Sequence, residues 1–174
     1  NDWISDFKVK IMNKIKNIFL KKKILIYGLG KSGISTYNFL RHKAQINLFD
    51  DNYKNDTKFI KRSLSFNKIL KSKFDFIIIS PGIDFSKCKL SKYLRQNSFK
   101  VYTDLDVFCS FFSNDSITIT GTNGKSTTAK LLYDVLRNQK KDARLVGNIG
   151  NPILSEKKIS KETFFVIEAS SYQL

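Results

Sequence analysis

Short runs of apolar residues separated by polar turns recur along the chain. The strongest are nearly continuous, the mark of strands buried on both faces of a parallel sheet. Lys23–Tyr27 (KILIY), Gln45–Phe49 (QINLF) and Phe74–Ile79 (FDFIII) are read as strands of this kind. Lys100–Tyr102 is a shorter one, and Ile117–Thr120, Ala143–Val146 and Thr163–Ile167 complete the set. Between them the spacing changes to three and four, predicting helices from the glycine turn at 28–33 to about Arg41, over Ser86–Gln96, over Asp104–Phe112, and from Lys125 to Asn138. Residues 52–73 are polar and Lys-rich, with little periodicity. Strands alternating with helices predict an α/β fold of two successive Rossmann-like parallel-sheet βα units. Ahead of them, residues 1–19 place Trp3, Ile4, Phe7, Ile11, Ile15, Ile18 and Phe19 at helical steps among Lys8, Lys10, Lys14 and Lys16. That is an amphipathic basic helix, read as docked on a protein surface in preference to a membrane surface. The expected domains are therefore 1–19, 20–113 and 114–174, with the small polar Ser113-Asn114-Asp115 as the linker.

The candidate chemistry sits in the turns that follow strands. Ile117–Thr128 reads ITITGTNGKSTT: a β-branched run, a glycine turn and a helix start. Gly121 and Gly124 let successive backbone N–H groups converge on one point, which suits a phosphate. Lys125 adds a mobile positive charge there, and the Ser126 hydroxyl, at the positive end of the helix, is placed to ligate magnesium. The general phosphate-loop pattern has four residues between its first Gly and the Gly-Lys pair, whereas here only Thr122 and Asn123 intervene. The alternative is a glycine turn with an incidental lysine; the order of strand, turn and helix argues against it.

The second glycine turn, Gly28-Leu29-Gly30-Lys31-Ser32-Gly33, is G-x-G-x-x-G between a strand and a helix, and Asp50 ends the next strand about twenty residues later. Taken alone, those features favour NAD. Any diphosphate suits such a helix N-terminus, however, so the motif is only moderately specific. Ser80-Pro81-Gly82-Ile83 lies at the carboxyl end of a third strand, where open α/β sheets bind ligands. Gly147–Pro152 (GNIGNP) and Glu168 with Ser170 occupy the corresponding places near the end of the chain.

Composition narrows the classes. The chain has 174 residues, and 41% hydrophobic content with 15 Phe supplies an ample core, so it is globular. Its net charge of +16 raises nucleic acid as a partner. The excess is nearly all Lys, scattered along the chain without an Arg cluster or binding motif, and fits codon bias equally well; a nucleic-acid partner is not expected. Cys88 and Cys109 show no metal or redox spacing, and neither a secretory segment nor a membrane-spanning run is present, so the expected compartment is a reducing cytoplasm. Both ends of the sequence read as cut, so a piece of a longer protein is expected.

The loop TGTNGKSTT, the GLGKSG turn, FDD at 49–51, SPGI at 80–83, GNIGNP at 147–152 and EASSYQL at 168–174 together resemble the Mur ligase family, over about residues 20–174. Mur ligases are the ATP-dependent amide-forming enzymes of peptidoglycan precursor synthesis, and the match is to the D-glutamate-adding branch. The resemblance implies a UDP-substrate domain followed by part of a P-loop ATPase domain. It implies ATP and magnesium as cofactors, and UDP-N-acetylmuramoyl-L-alanine and D-glutamate as small-molecule substrates. It also implies a monomeric parent enzyme with no stable membrane insertion. In that scheme Gly28, Gly30, Lys31 and Ser32 hold the UDP diphosphate, Asp50 and Asp51 lie near the uracil, and Ser80 and Gly82 line the sugar path. Gly121, Thr122, Asn123, Gly124, Lys125, Ser126 and Thr127 hold ATP. Asn148 and Ser170 lie by the substrate, and Ser126 and Glu168 hold magnesium. Lys125, Asn148 and Glu168 are the catalytic candidates. Asn52 stands where the family often has Arg, which puts uracil affinity in question. The family's carbamylated lysine, a metal-binding histidine and a C-terminal domain would follow Leu174. Competing readings are a non-catalytic UDP/ATP-binding module and an NAD-binding oxidoreductase domain; the latter has no use for Lys125.

Overall fold

The computed structural model describes residues 17–52 and 62–170, which divide into two compact units between Phe111 and Phe112. In the first unit, β1 (Lys23–Tyr27), β2 (Gln45–Phe49), β3 (Phe76–Ile79) and β4 (Val101–Tyr102) form a parallel sheet in the order β2-β1-β3-β4. Its helices are α1 (Lys31–Leu40), α2 (Phe66–Leu70), α3 (Ser91–Gln96) and α4 (Asp104–Phe111). The inner strand β1 is buried on both faces from Ile24 onward, which is why its sequence is apolar there. Leu25 and Tyr27 face a core with Ile69 of α2, Leu94 of α3 and Leu90 just before it, while α1 and α4 pack against each other.

Several expectations need adjustment. The helix expected over 1–19 lies mostly outside the described residues, and its last part, Asn17–Phe19, is a turn with Asn17 at a φ of 59°. There the Phe19 ring is fully buried and meets Phe76 and Tyr102 edge-on, so its apolar character serves the end of the sheet and not a helix face. The helix expected over Ser86–Gln96 begins only at Ser91, because Asp84 caps a turn by accepting from the N–H and hydroxyl of Ser86. The weakly patterned 52–73 stretch contains α2, a helix of five residues too short to display a period.

In the second unit β5 (Ser116–Ile119), β6 (Ala143–Gly147) and β7 (Phe164–Glu168) form a parallel sheet in the order β5-β7-β6, with α5 (Lys125–Asn138) packed on it. Central β7 is buried almost throughout. Edge strand β5 is not the buried strand its sequence suggests: Ile117 is 44% exposed. The β-branched run reports strand propensity, which an edge strand shares with a central one. Asn114 and Asp115, expected in the linker, are tied into this unit, Asn114 Nδ2 donating to the carbonyls of Ser160 and Thr163 and Asp115 accepting from the Phe165 N–H. No helix among the described residues is long and apolar enough to cross a membrane.

Candidate functional site

Parallel strands put all their carboxyl ends on one edge, so each unit presents its strand-end turns together. In the first unit the turn at Gly28 is closed from two sides. Its N–H donates to the Phe49 carbonyl at 2.9 Å, and its own carbonyl accepts from Ser80 Oγ at 2.8 Å, bringing the SPGI turn directly onto the glycine turn. The start of α1 presses against the same carbonyl: a Cβ built on Gly33 would lie 1.8 Å from the Gly28 oxygen. Only a hydrogen fits there. Gly30 and Gly82 have open space where a Cβ would be, and Lys31 is exposed.

Asp50 accepts from the Leu29 N–H at 2.6 Å and from the Asn52 N–H at 2.8 Å, so this carboxylate shapes the glycine turn itself. Asp51 accepts from the Tyr27 hydroxyl at 2.8 Å and the Lys89 N–H at 3.1 Å, and the Lys89 ammonium donates to the Asp51 carbonyl. Burial, and then the hydrogen bond to Asp51, drive the Tyr27 pKa upward, so the phenol remains the donor. Ser32 donates to Asp104 at the start of α4. Tyr27, Lys89 and Asp104 escaped sequence reasoning. Tyr27 reads as a strand residue, Lys89 as one of many lysines and Asp104 as the first residue of a helix; only the fold brings them to the turns.

In the second unit the phosphate-type loop leaves β5 with Gly121 and Gly124 at φ values of 142° and 75° and enters α5 at Lys125. Gly121, Thr122, Asn123, Gly124, Ser126 and Thr127 are exposed, and Lys125 Nζ lies 3.4 Å from the Thr122 carbonyl, against the loop. Glu168 ends β7 in register with Ile119 of β5 and Gly147 of β6, so the loop, the GNIGNP turn and the carboxylate share one edge. Asn148 donates its N–H to the Glu168 carbonyl at 2.9 Å and its Nδ2 to Ser170 Oγ at 2.7 Å. Gly147 is needed for that approach: at φ 105° a Cβ would lie 2.1 Å from the Glu168 oxygen.

Glu168 is 4% exposed, and its Oε2 is buried with no hydrogen-bond partner among the described residues. A buried carboxylate oxygen without a donor is costly, and either a donor or a cation offsets the cost. Behind the turn, Arg144 bridges Asp142 and Glu156, and Glu156 accepts from Asn151 Nδ2, which pins GNIGNP to the strand before it. Among the described residues no cluster of three or more His, Cys, Asp or Glu forms a ready-made metal site.

Two family models match successive parts of the chain: Mur ligase MurD-like, N-terminal domain, over residues 22–101, and Mur ligase middle domain over residues 119–174. The chain belongs to the Mur ligase family. Among curated Mur ligases, UDP-N-acetylmuramoylalanine--D-glutamate ligase from Rickettsia prowazekii is 36% identical over 166 residues, covering 91% of this chain and 36% of the relative. The enzyme of the same name from Buchnera aphidicola subsp. Acyrthosiphon pisum (strain Tuc7) is 38% identical over 166 residues, covering 90% and 37%. That from Caldicellulosiruptor bescii is 34% identical over 168 residues, covering 88% and 36%. The chain therefore spans a little over a third of the length of these Mur ligases.

Proposed function

We propose that this chain is the UDP-substrate-binding domain and the first part of the ATP-binding domain of a cytoplasmic, monomeric ligase that joins D-glutamate to UDP-N-acetylmuramoyl-L-alanine. The observation that carries this reading is the edge shared by the phosphate-type loop, Asn148 and Glu168, whose buried Oε2 has no hydrogen-bond partner among the described residues. Phosphoryl transfer asks a protein for positioning and charge neutralisation more than for covalent chemistry, and this edge offers both.

The residues fit ATP and magnesium. The backbone of Gly121–Gly124 would receive the phosphates, Lys125 would lie against the β and γ groups, and the Ser126 hydroxyl with Glu168 would hold a magnesium ion. That ion supplies neutralisation of phosphate charge. Asn148, held by Glu168 and Ser170, would orient the substrate carboxylate. A carboxylate oxygen then attacks the γ-phosphorus and ADP leaves. The neutral D-glutamate amine attacks the acyl carbon and gives up one proton to solvent, and inorganic phosphate departs carrying that oxygen. In the first domain the turn at Gly28, Gly30, Lys31 and Ser32 would take the diphosphate, Asp50 and Asp51 would shape the uracil end, and Ser80 and Gly82 would border the sugar path.

Paired calorimetric titrations of the 174-residue chain with UDP-N-acetylmuramoyl-L-alanine and with NAD test the reading. Tighter binding of the UDP compound is expected. Tighter binding of NAD would return the first domain to the dinucleotide class.

A further inference from the structure

Ser32 opens α1 beside the glycine turn, and its hydroxyl is already committed as a donor to Oδ2 of Asp104. Asp104 is 4% exposed, and its other oxygen, Oδ1, is buried with no hydrogen-bond partner among the described residues. Desolvation raises the pKa of this carboxyl, outweighing the Ser32 hydrogen bond and the backbone N–H groups of Leu105 and of Asp104 itself, which favour the ionised form, and none of these bonds Oδ1. The charge acting on it comes from Asp106 of the same helix and also raises it. Asp106 is itself held by the N–H and hydroxyl of Thr103. From α1, the helix packed against α4, the facing group is the Ser32 hydroxyl, while Lys31 is exposed. Further along α4 the Cys109 thiol is pushed up to about 11 by burial and stays neutral near pH 7. Among the described residues no cation pairs with Asp104.

A serine hydroxyl has one proton and two lone pairs. With Asp104 ionised, that proton points at the carboxylate, and Ser32 can show an incoming phosphate only lone pairs. We propose that Asp104 is a positioning residue that sets the direction of the Ser32 hydroxyl, so that the diphosphate of a nucleotide-sugar ligand binds at the glycine turn with uptake of one proton onto the Asp104 carboxyl. The proton comes from solvent and bonds to Oδ2. The new O–H donates to Ser32 Oγ, and the serine O–H turns to a phosphate oxygen. No other bond forms or breaks. The same proton removes a buried negative charge from beside an anionic ligand. This inference rests on the diphosphate reading of the turn given above.

The test is calorimetric titration of the 174-residue chain with UDP-N-acetylmuramoyl-L-alanine, whose diphosphate diester does not itself titrate near neutrality. It is run at several pH values in buffers of different ionisation enthalpy. The expected result is uptake approaching one proton per ligand, with affinity falling by up to about tenfold per pH unit on the alkaline side. Asp104→Asn presents an amide that donates to Ser32 as the protonated acid does. It should bind with no linked proton and a flat pH profile, and above neutrality more tightly than the parent. Ser32→Ala retains the carboxyl without the hydroxyl and should shrink the affinity gained at low pH. A merely structural Asp104 would instead alter affinity equally at every pH. Binding with the same proton uptake in the parent and in folded Asp104→Asn overturns the inference while sparing the diphosphate reading; no proton uptake by the parent does the same without any variant. Failure of the parent to bind at any pH overturns both.

Discussion

Replacing Gly33 with alanine should destabilise the first unit, although general helix preferences predict the reverse. Gly33 lies inside α1, where Gly→Ala normally stabilises a helix by up to about 1 kcal/mol. Here the added carbon would sit 1.8 Å from the Gly28 carbonyl oxygen, well inside the 3.4 Å at which ordinary contact begins. The added Cβ is fixed rigidly to the helix backbone and the oxygen it meets is backbone, so relief requires α1 to shift away from the turn, taking Ser32 and its bond to Asp104 with it. Overpacking that moves backbone costs about 3 kcal/mol or more, which leaves a net loss of about 2 kcal/mol after the propensity gain. For a unit of this size that is a fall of about 10 °C in Tm. Circular dichroism during heating, with urea denaturation as a second measure, reads the change. Gly82→Ala is the control, since nothing lies within 4 Å of its Cβ position, and it should stay within about 0.5 kcal/mol of the parent. A Gly33→Ala protein as stable as the parent, or more so, would refute the close approach of helix and turn on which the first site depends.

Three further outcomes are expected. In the longer ligase, Lys125→Ala should lower turnover by about a hundredfold or more while leaving UDP-substrate affinity near normal, and Lys125→Arg should not rescue it, because a planar guanidinium does not replace a compact ammonium; steady-state kinetics at saturating ATP decides, a fall below about fivefold counting against a phosphate contact. Asp142 has its pKa lowered, chiefly by the Thr163 hydroxyl and then by Arg144. A depressed carboxylate contributes stability that is present above its unfolded pKa of about 4 and is lost as pH falls through the folded value, so the urea midpoint of the second unit should drop on acidification and do so less in Asp142→Asn. The effect should be small, because Asp142 is partly exposed and its ion pair is screened. Finally, the 174-residue chain alone should release no D-glutamate-dependent phosphate in a coupled assay, because it spans little more than a third of the ligases it resembles and near-attack geometry needs both reactants held.

Much of the fold is legible because buried parallel strands announce themselves. KILIY and QINLF coincide with β1 and β2, and both glycine turns fall between a strand and a helix as expected. What escaped depends on partners distant in sequence. Nothing in VYTDLDVF shows that Asp104 reaches back 72 residues to Ser32. Local pattern likewise cannot tell that Asp50 is engaged by the Leu29 N–H, or that Ile117 lies on an edge strand. The extent of the helix before Gln96 was overread because an Asx turn at Asp84 competes with helix in a way periodicity does not register. Glu168 could be named from its position at the end of an apolar strand, but the burial of an oxygen with no partner among the described residues belongs to the packing alone.

The most direct test of the central claim follows an oxygen atom. The longer ligase proposed above is given ATP, magnesium, D-glutamate and UDP-N-acetylmuramoyl-L-alanine whose terminal carboxylate carries oxygen-18, and the released phosphate is examined by mass spectrometry. Transfer through an acyl phosphate predicts one carboxylate-derived oxygen in each phosphate released, in step with amide formation. Phosphate free of the label, or released without D-glutamate and without amide product, would contradict the account.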